Sequence, residues 1–168
     1  LRNAIRIMKE TGVDAVKIEG GAEIAPMINR MVDAGIPVSG HLGLTPQSVH
    51  KFGGYGLRAK DDAEAEKLIS DAKALDEAGC FCIVLEKVPA ALAQKVTESV
   101  SCATIGIGAG NCCDGQVLVY ADMLGMNPSF RPKFVRKYAD LYNVMTSAIA
   151  QYVNDVKSTD FPNETESY

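Results

Sequence analysis

Apolar residues recur along this chain in two alternating rhythms. One has the spacing of about 3.6 residues expected of a helix with one buried face, and the other is the short β-branched run of a buried strand. Leu1, Ile5 and Met8 predict a helix over 1–11, closed by Gly12. A strand is predicted over 15–19, then a helix over 22–34 with Ile24, Ile28, Met31 and Val32 on one face and Gly35 after it. A second strand covers 36–40, and Thr45-Pro46 opens a short helix to about Phe52. Asp61, with Glu64 three residues on, reads as a capping box. The helix behind it carries Ala65, Leu68, Ile69, Ala72 and Leu75 as its stripe and ends at Gly79. Next come a strand over 81–85, a helix from Pro89 to about Glu98, and strands over 104–107 and 116–120. Pro132 opens a long final helix carrying Phe134, Tyr138, Leu141, Met145, Ile149 and Val153. The polar stretch 158–168 reads as a tail, which leaves 1–157 as the folded domain.

Strands that alternate with helices pair in parallel through crossover connections. Two α/β architectures fit: an open doubly wound sheet, or part of an eight-stranded (β/α)8 barrel. The ends of the strands discriminate between them. With a side-chain period of two, Lys17 and Glu19 share one face of the first strand and Val16 and Ile18 the other. The second strand runs out at His41. The third ends at Glu86, on the face of Cys82 and Val84 and opposite Phe81, Ile83 and Leu85. The fourth ends in Ile105-Gly106-Ile107-Gly108-Ala109-Gly110, and the fifth near Asp122. Polar groups at successive strand ends converge on one mouth in a barrel, which favours that architecture.

Composition narrows the function. Of 168 residues, 47% are apolar and 23% charged, values of a globular domain rather than a disordered segment. A formal charge of -4 leaves no basic footprint for nucleic acid. No apolar run approaches the ~18 residues of a membrane span, and no secretory pattern opens the chain. Cys80, Cys82, Cys102, Cys112 and Cys113 form no CxxC pair, so zinc is not expected; Cys80 and Cys82, inside an apolar run, read as reduced core thiols, which fits a reducing compartment. The chain starts at Leu1 with a helix already under way, so sequence upstream of it is expected.

Each polar residue also has a plainer reading. Lys17 and Glu19 can be a surface ion pair, worth little. Glu86 can be the first solvated residue after a strand, and His41 can cap a loop. Gly53-Gly54-Tyr55-Gly56 reads as a flexible loop or a lid.

The segments 15–21 (AVKIEGG), 35–55 (GIPVSGHLGLTPQSVHKFGGY), 78–89 (AGCFCIVLEKVP), 104–110 (TIGIGAG), 114–125 (DGQVLVYADMLG) and 132–141 (PKFVRKYADL) together resemble the ketopantoate hydroxymethyltransferase family, in its order and spacing. The resemblance implies a (β/α)8 barrel enzyme that assembles as a homodecamer, uses Mg2+, and acts in the cytoplasm (or the mitochondrion of a eukaryote). It implies transfer of a one-carbon unit from 5,10-methylenetetrahydrofolate to 3-methyl-2-oxobutanoate, giving 2-dehydropantoate for pantothenate and coenzyme A. Position by position, Lys17 matches the substrate-binding lysine, Glu19 a metal ligand, Glu86 the catalytic proton acceptor and His41 a substrate-pocket histidine. The family's two metal-site aspartates, one followed by a serine, have no counterpart here. Ala121 stands where the family usually has His, and Asn111-Cys112-Cys113 also departs from its pattern. On this alignment the chain holds strands four to eight, and an isolated arc with two open edges is expected to aggregate and to be inactive unless another chain completes it.

Those residue types suit the chemistry. Enolising an oxo acid needs a base, here Glu86, and a divalent cation as Lewis acid. A fixed positive charge such as Lys17 in a dry pocket is worth roughly 3 kcal/mol. Two other readings stand beside this one: a Mg2+-dependent carbon–carbon lyase of a 2-oxo acid, and a non-catalytic barrel remnant that serves as an assembly partner through the 132–157 helix.

Overall fold

The computed structural model describes residues 1–168, which divide into two compact units, Leu1–Val117 and Leu118–Tyr168. In the first, the alternation of strand and helix builds one parallel sheet. Its strands are β1 (Val16–Glu19), β2 (Val38–Gly43), β3 (Cys82–Glu86), β4 (Ala103–Ile107) and β5 (Gly115–Gln116). They lie side by side in chain order, β1-β2-β3-β4-β5. The order never reverses, so the sheet lacks the switch point at which a doubly wound sheet binds its ligand.

Parallel strands need crossovers. Helix α1 (Arg2–Thr11) leads into β1, and α2 (Ala25–Asp33) carries the chain on to β2. After β2 come a 3-10 turn (Pro46–Ser48), the single-turn α3 (Val49–Phe52) and the long α4 (Asp62–Glu77); α5 (Ala90–Thr97) joins β3 to β4. Ile28, Met31, Leu68, Ala72, Leu75, Ala93 and Val96 of these helices pack with Val38, Leu42, Ile83 and Leu85 of the sheet in one core. Burying Leu75, Ile83 and Leu85 contributes about 2 kcal/mol each. Helix α4 sits so close to β2 that a Cβ on Gly40 would lie 2.9 Å from Leu75 Cδ1. The register Glu19↔His41 and Gly43↔Glu86 then settles the other face. It carries Lys17, Glu19, Ser39, His41, Cys82, Val84, Glu86, Ile105 and Ile107, none of which belongs to the helix-side core.

Asp61 caps α4 as the sequence suggests, accepting the Glu64 N–H at 2.9 Å. The reciprocal half of the box is absent. The Glu64 carboxylate turns instead to the Ala59 N–H at 2.7 Å and to the Arg58 guanidinium, because these lie beside it and both need an acceptor. Strand β2 runs past its predicted end to Gly43, paired there with β3, so His41 lies within the strand. Phe81 precedes β3 and is 52% exposed rather than packed with Ile83 and Leu85. Cys80 and Cys82 are buried thiols, and burial pushes Cys80 up to about 11.

Two aspartates tie down the end of the sheet at which β4 begins. Asp76, in the last turn of α4, accepts the Ser101 N–H at 2.8 Å and the Cys102 N–H at 2.9 Å. Asp114 accepts the Thr104 N–H at 2.8 Å and the Thr104 hydroxyl at 2.9 Å. Burial pushes the Asp76 carboxyl up, but the Ser101 and Cys102 donors outweigh it and hold it below its ordinary 3.8. The Thr104 donors lower Asp114 likewise. A depressed carboxyl stabilises the fold fully above its ordinary value, and this contribution is lost as the pH falls through the lower folded value. Asp76→Asn should therefore cost about 1 kcal/mol at pH 7, and the gap to the unaltered protein should narrow at about pH 3. Urea unfolding at the two pH values measures both.

The chain from Gly115 onward departs most from expectation. The predicted strand 116–120 shortens to Gly115–Gln116, and Tyr120–Met123 is a short helix, α6, which includes Asp122. Strand β5 stops there because β4 turns off into Gly108 and Gly110, both at positive φ. The final helix, α7, runs only over Leu141–Lys157. Residues 132–140 are not helical, because Tyr138 within the stretch and the first two residues of α7 after it bond back to residues 123–125. The Tyr138, Leu141 and Tyr142 N–H groups donate to the carbonyls of Met123, Leu124 and Gly125. Gly125 permits the approach, since a Cβ there would lie 2.4 Å from the Ala139 oxygen. Helix α7 has no buried residue; Ile149 is 61% exposed and Val153 39%, so the stripe read from the sequence forms no core within this chain. In the tail, Phe161 stacks edge-on against Tyr152 at 5.5 Å.

Candidate active site

Strands β1, β2 and β3 each bring one polar residue of the helix-free face to their C-terminal half. Glu19 and His41 are direct register partners, and Glu86 lies two residues beyond His41's own partner, Val84. The imidazole consequently sits between two carboxylates. His41 Nδ1 is 3.6 Å from Glu19 Oε1, and His41 Nε2 is 3.2 Å from Glu86 Oε2. His41 is 1% exposed, and neither ring nitrogen completes a well-directed hydrogen bond. A neutral ring offers one N–H and a protonated ring two. A buried polar ring without a settled partner is costly, and such costs collect at functional sites.

Backbone donors fix Glu19 through its side chain and Glu86 through its main chain. Glu19 Oε2 accepts the Gln47 N–H, at the start of the 3-10 turn, at 2.9 Å, while its Oε1 accepts no hydrogen bond. The Glu86 carbonyl accepts the Leu44 N–H at 2.8 Å. After Glu19 the chain bends through Gly20 and Gly21. Buried Asp71 of α4 accepts the Ala22 N–H at 3.0 Å and grips Lys67. Its carboxylate occupies the space that a Gly21 Cβ would need. Asp71 in turn holds the Lys67 ammonium above its ordinary value, against the effect of burial. A cavity of about 130 Å³ opens between this bend and α4, with His41, Thr45, Phe52, Arg58 and Asp71 among its walls.

Of the four residues singled out from sequence, the structure brings Glu19, His41 and Glu86 together. Lys17 lies on the same face, two residues before Glu19 and opposite Ser39, exposed and without an ion pair. Sequence reading missed Gln47, Asp71 and Arg58. Only Asp71 gave a signal, as an acidic residue on the buried side of α4 between Leu68 and Leu75.

No three His, Cys, Asp or Glu side chains stand close enough to hold a metal ion. The unengaged Glu19 Oε1 is nevertheless a hard oxygen donor of the kind Mg2+ accepts, since Mg2+ takes one or two carboxylates and keeps several waters.

Comparison with known proteins places these residues in context. The family model described as ketopantoate hydroxymethyltransferase matches residues 1–164. A 3-methyl-2-oxobutanoate hydroxymethyltransferase of Bacteroides thetaiotaomicron is 64% identical over the whole chain and 62% of its own length. One from Flavobacterium johnsoniae is 62% identical over the same shares, and one from Prosthecochloris aestuarii is 59% identical over the whole chain and 61% of its own length. The chain thus spans about 62% of the length of the curated relatives it matches. The solved YdjI aldolase of Escherichia coli aligns at a TM-score of 0.42 and 18% identity, over 71% of this chain and 49% of that one, too distant to bear on the site. With a match over residues 1–164 and relatives at about 60% identity, the chain belongs to the ketopantoate hydroxymethyltransferase family.

Proposed function

We propose that this chain forms much of the active site of a 3-methyl-2-oxobutanoate hydroxymethyltransferase, transferring a hydroxymethyl group from 5,10-methylenetetrahydrofolate to give 2-dehydropantoate. The observation that carries the reading is the row Glu19–His41–Glu86, a buried imidazole between two carboxylates in the C-terminal halves of β1 to β3. Glu86 is the general base. It takes the proton from the β-carbon of the oxo acid and leaves the electron pair in an enolate; water hydrolyses the two C–N bonds of the methylene bridge, releasing tetrahydrofolate and the one-carbon unit as formaldehyde, and the enolate carbon attacks that carbon, whose oxygen takes a proton to become the new hydroxyl. His41 keeps the Glu86 carboxylate facing the site. Lys17 supplies positive charge for the substrate carboxylate. Glu19, with ligands beyond these residues, would hold Mg2+, which when bound polarises the oxo group as a Lewis acid.

The strand order without reversal, and helices packed on one face only, support reading the sheet as an arc of a (β/α)8 barrel, its strands four to eight. No helix is long and apolar enough to cross a membrane; the cytoplasm, as the family resemblance implies, is the location proposed. A homodecamer, as the family resemblance implies, is the assembly proposed.

The test is product formation. The protein as the cell makes it, supplied with Mg2+, 3-methyl-2-oxobutanoate and 5,10-methylenetetrahydrofolate, should form 2-dehydropantoate. Cleavage of a 2-oxo acid without need of folate would instead identify a carbon–carbon lyase.

A further inference from the structure

Glu86 is followed by a residue that the proposed chemistry does not use. Lys87 has a φ of +48°, in the left-handed region that side chains other than glycine rarely enter. A residue persists there only when its surroundings over-determine it. Here they do. The Lys87 N–H donates to the Ile107 carbonyl at the end of β4 at 2.9 Å, and the Lys87 carbonyl accepts the Arg58 N–H at 2.9 Å. The Lys87 ammonium reaches back to donate to the Tyr55 carbonyl, in the glycine-rich loop before α4.

Arg58 is itself anchored. Its guanidinium lies 4.0 Å above the Phe52 ring and pairs with Glu64 in the first turn of α4. Ala59 beside it is also left-handed, at +52°, and donates its N–H to Glu64 at 2.7 Å. Left-handed Lys87, next in the chain to the base, thus bonds through its carbonyl to Arg58, the neighbour of left-handed Ala59.

We propose that Lys87 is the positioning residue of Glu86: its left-handed turn, locked to β4, to Arg58 and to Tyr55, sets the direction in which the Glu86 carboxylate leaves β3. The proposal rests on the reading of Glu86 as base. Lys87 itself touches no reacting atom. Its backbone bonds hold the last peptide of β3, and its ammonium adds a tie to a loop that has glycines at 53, 54 and 56.

The test uses the protein as the cell makes it, with Lys87→Gly and Lys87→Arg. Glycine accepts the turn without strain but loses the ammonium and the stiffness of a side-chain-bearing residue. Arginine keeps a cation and a Cβ. Lys87→Gly should lower kcat for hydroxymethyl transfer about tenfold with the oxo-acid KM within about twofold, since small misplacement of a reacting group costs turnover rather than binding. Lys87→Arg should restore kcat to within about twofold. Amide hydrogen exchange should quicken at residues 55–58 and 86–88 in Lys87→Gly and nowhere else. Unchanged amide protection, or loosened amides with unchanged kcat, would overturn the proposal, as would kcat and KM moving together without rescue by arginine. If the unaltered protein forms no product while its Lys87 amide is well protected, the reading of Glu86 as base fails and this proposal falls with it.

Discussion

Glu86→Gln should lower the rate of hydroxymethyl transfer about a thousandfold, within the range by which a positioned general base accelerates proton transfer. The amide is nearly isosteric with the carboxylate, so the backbone bond from Leu44 to the Glu86 carbonyl and the fold around it remain. It cannot accept a proton at neutral pH. Because the substitution leaves Lys17 and Glu19 untouched, the oxo-acid KM should stay within about threefold. Initial-rate kinetics over a range of oxo-acid concentrations separates the two parameters. A variant that retains more than about a tenth of the turnover would remove Glu86 from its role.

Gly43→Ala should be the most damaging substitution for stability on this edge of the sheet. Gly43 has a φ of +86°, and a Cβ there would lie 2.2 Å from the Glu86 carbonyl oxygen and 2.8 Å from Val88 Cγ1. A left-handed non-glycine residue costs about 1–3 kcal/mol by itself. The clash adds to this, because the Glu86 oxygen is held by Leu44 and cannot retreat. A loss of about 3 kcal/mol or more is expected, with turnover falling as Glu86 is pushed aside. Gly12→Ala is the control. Gly12 has a similar φ of +69°, but nothing lies within 4 Å of its Cβ position, so about 1 kcal/mol is expected there. Urea unfolding of both variants measures the difference, and equal losses would contradict the close approach at Gly43.

How much of this was legible in the sequence follows from what each residue answers to. Period-two alternation in AVKIE placed Lys17 and Glu19 opposite Val16 and Ile18, and the same rule put Glu86 with Cys82 and Val84. Both faces are as expected because one side of the sheet must meet helices. The contact of His41 with both carboxylates was not legible, since strand register depends on neighbours distant in the chain. The extension of β2 to Gly43 was missed for the same reason. Residues 132–140 have helical spacing, but tertiary hydrogen bonds to the end of α6 outweigh it. Lys87 gave no signal, because left-handed strain in a lysine is imposed by partners such as Arg58 and Ile107.

The central claim is that Glu86, set beside His41 and Glu19, deprotonates a bound oxo acid. The most direct measurement is proton NMR of 3-methyl-2-oxobutanoate incubated in deuterium oxide with Mg2+ and the protein as the cell makes it, without folate. The β-proton signal should decay at a rate proportional to protein concentration, while the methyl signals persist as the deuterated species builds up. A β-proton signal that decays no faster than in a protein-free control, under conditions where the oxo acid binds, would contradict the account.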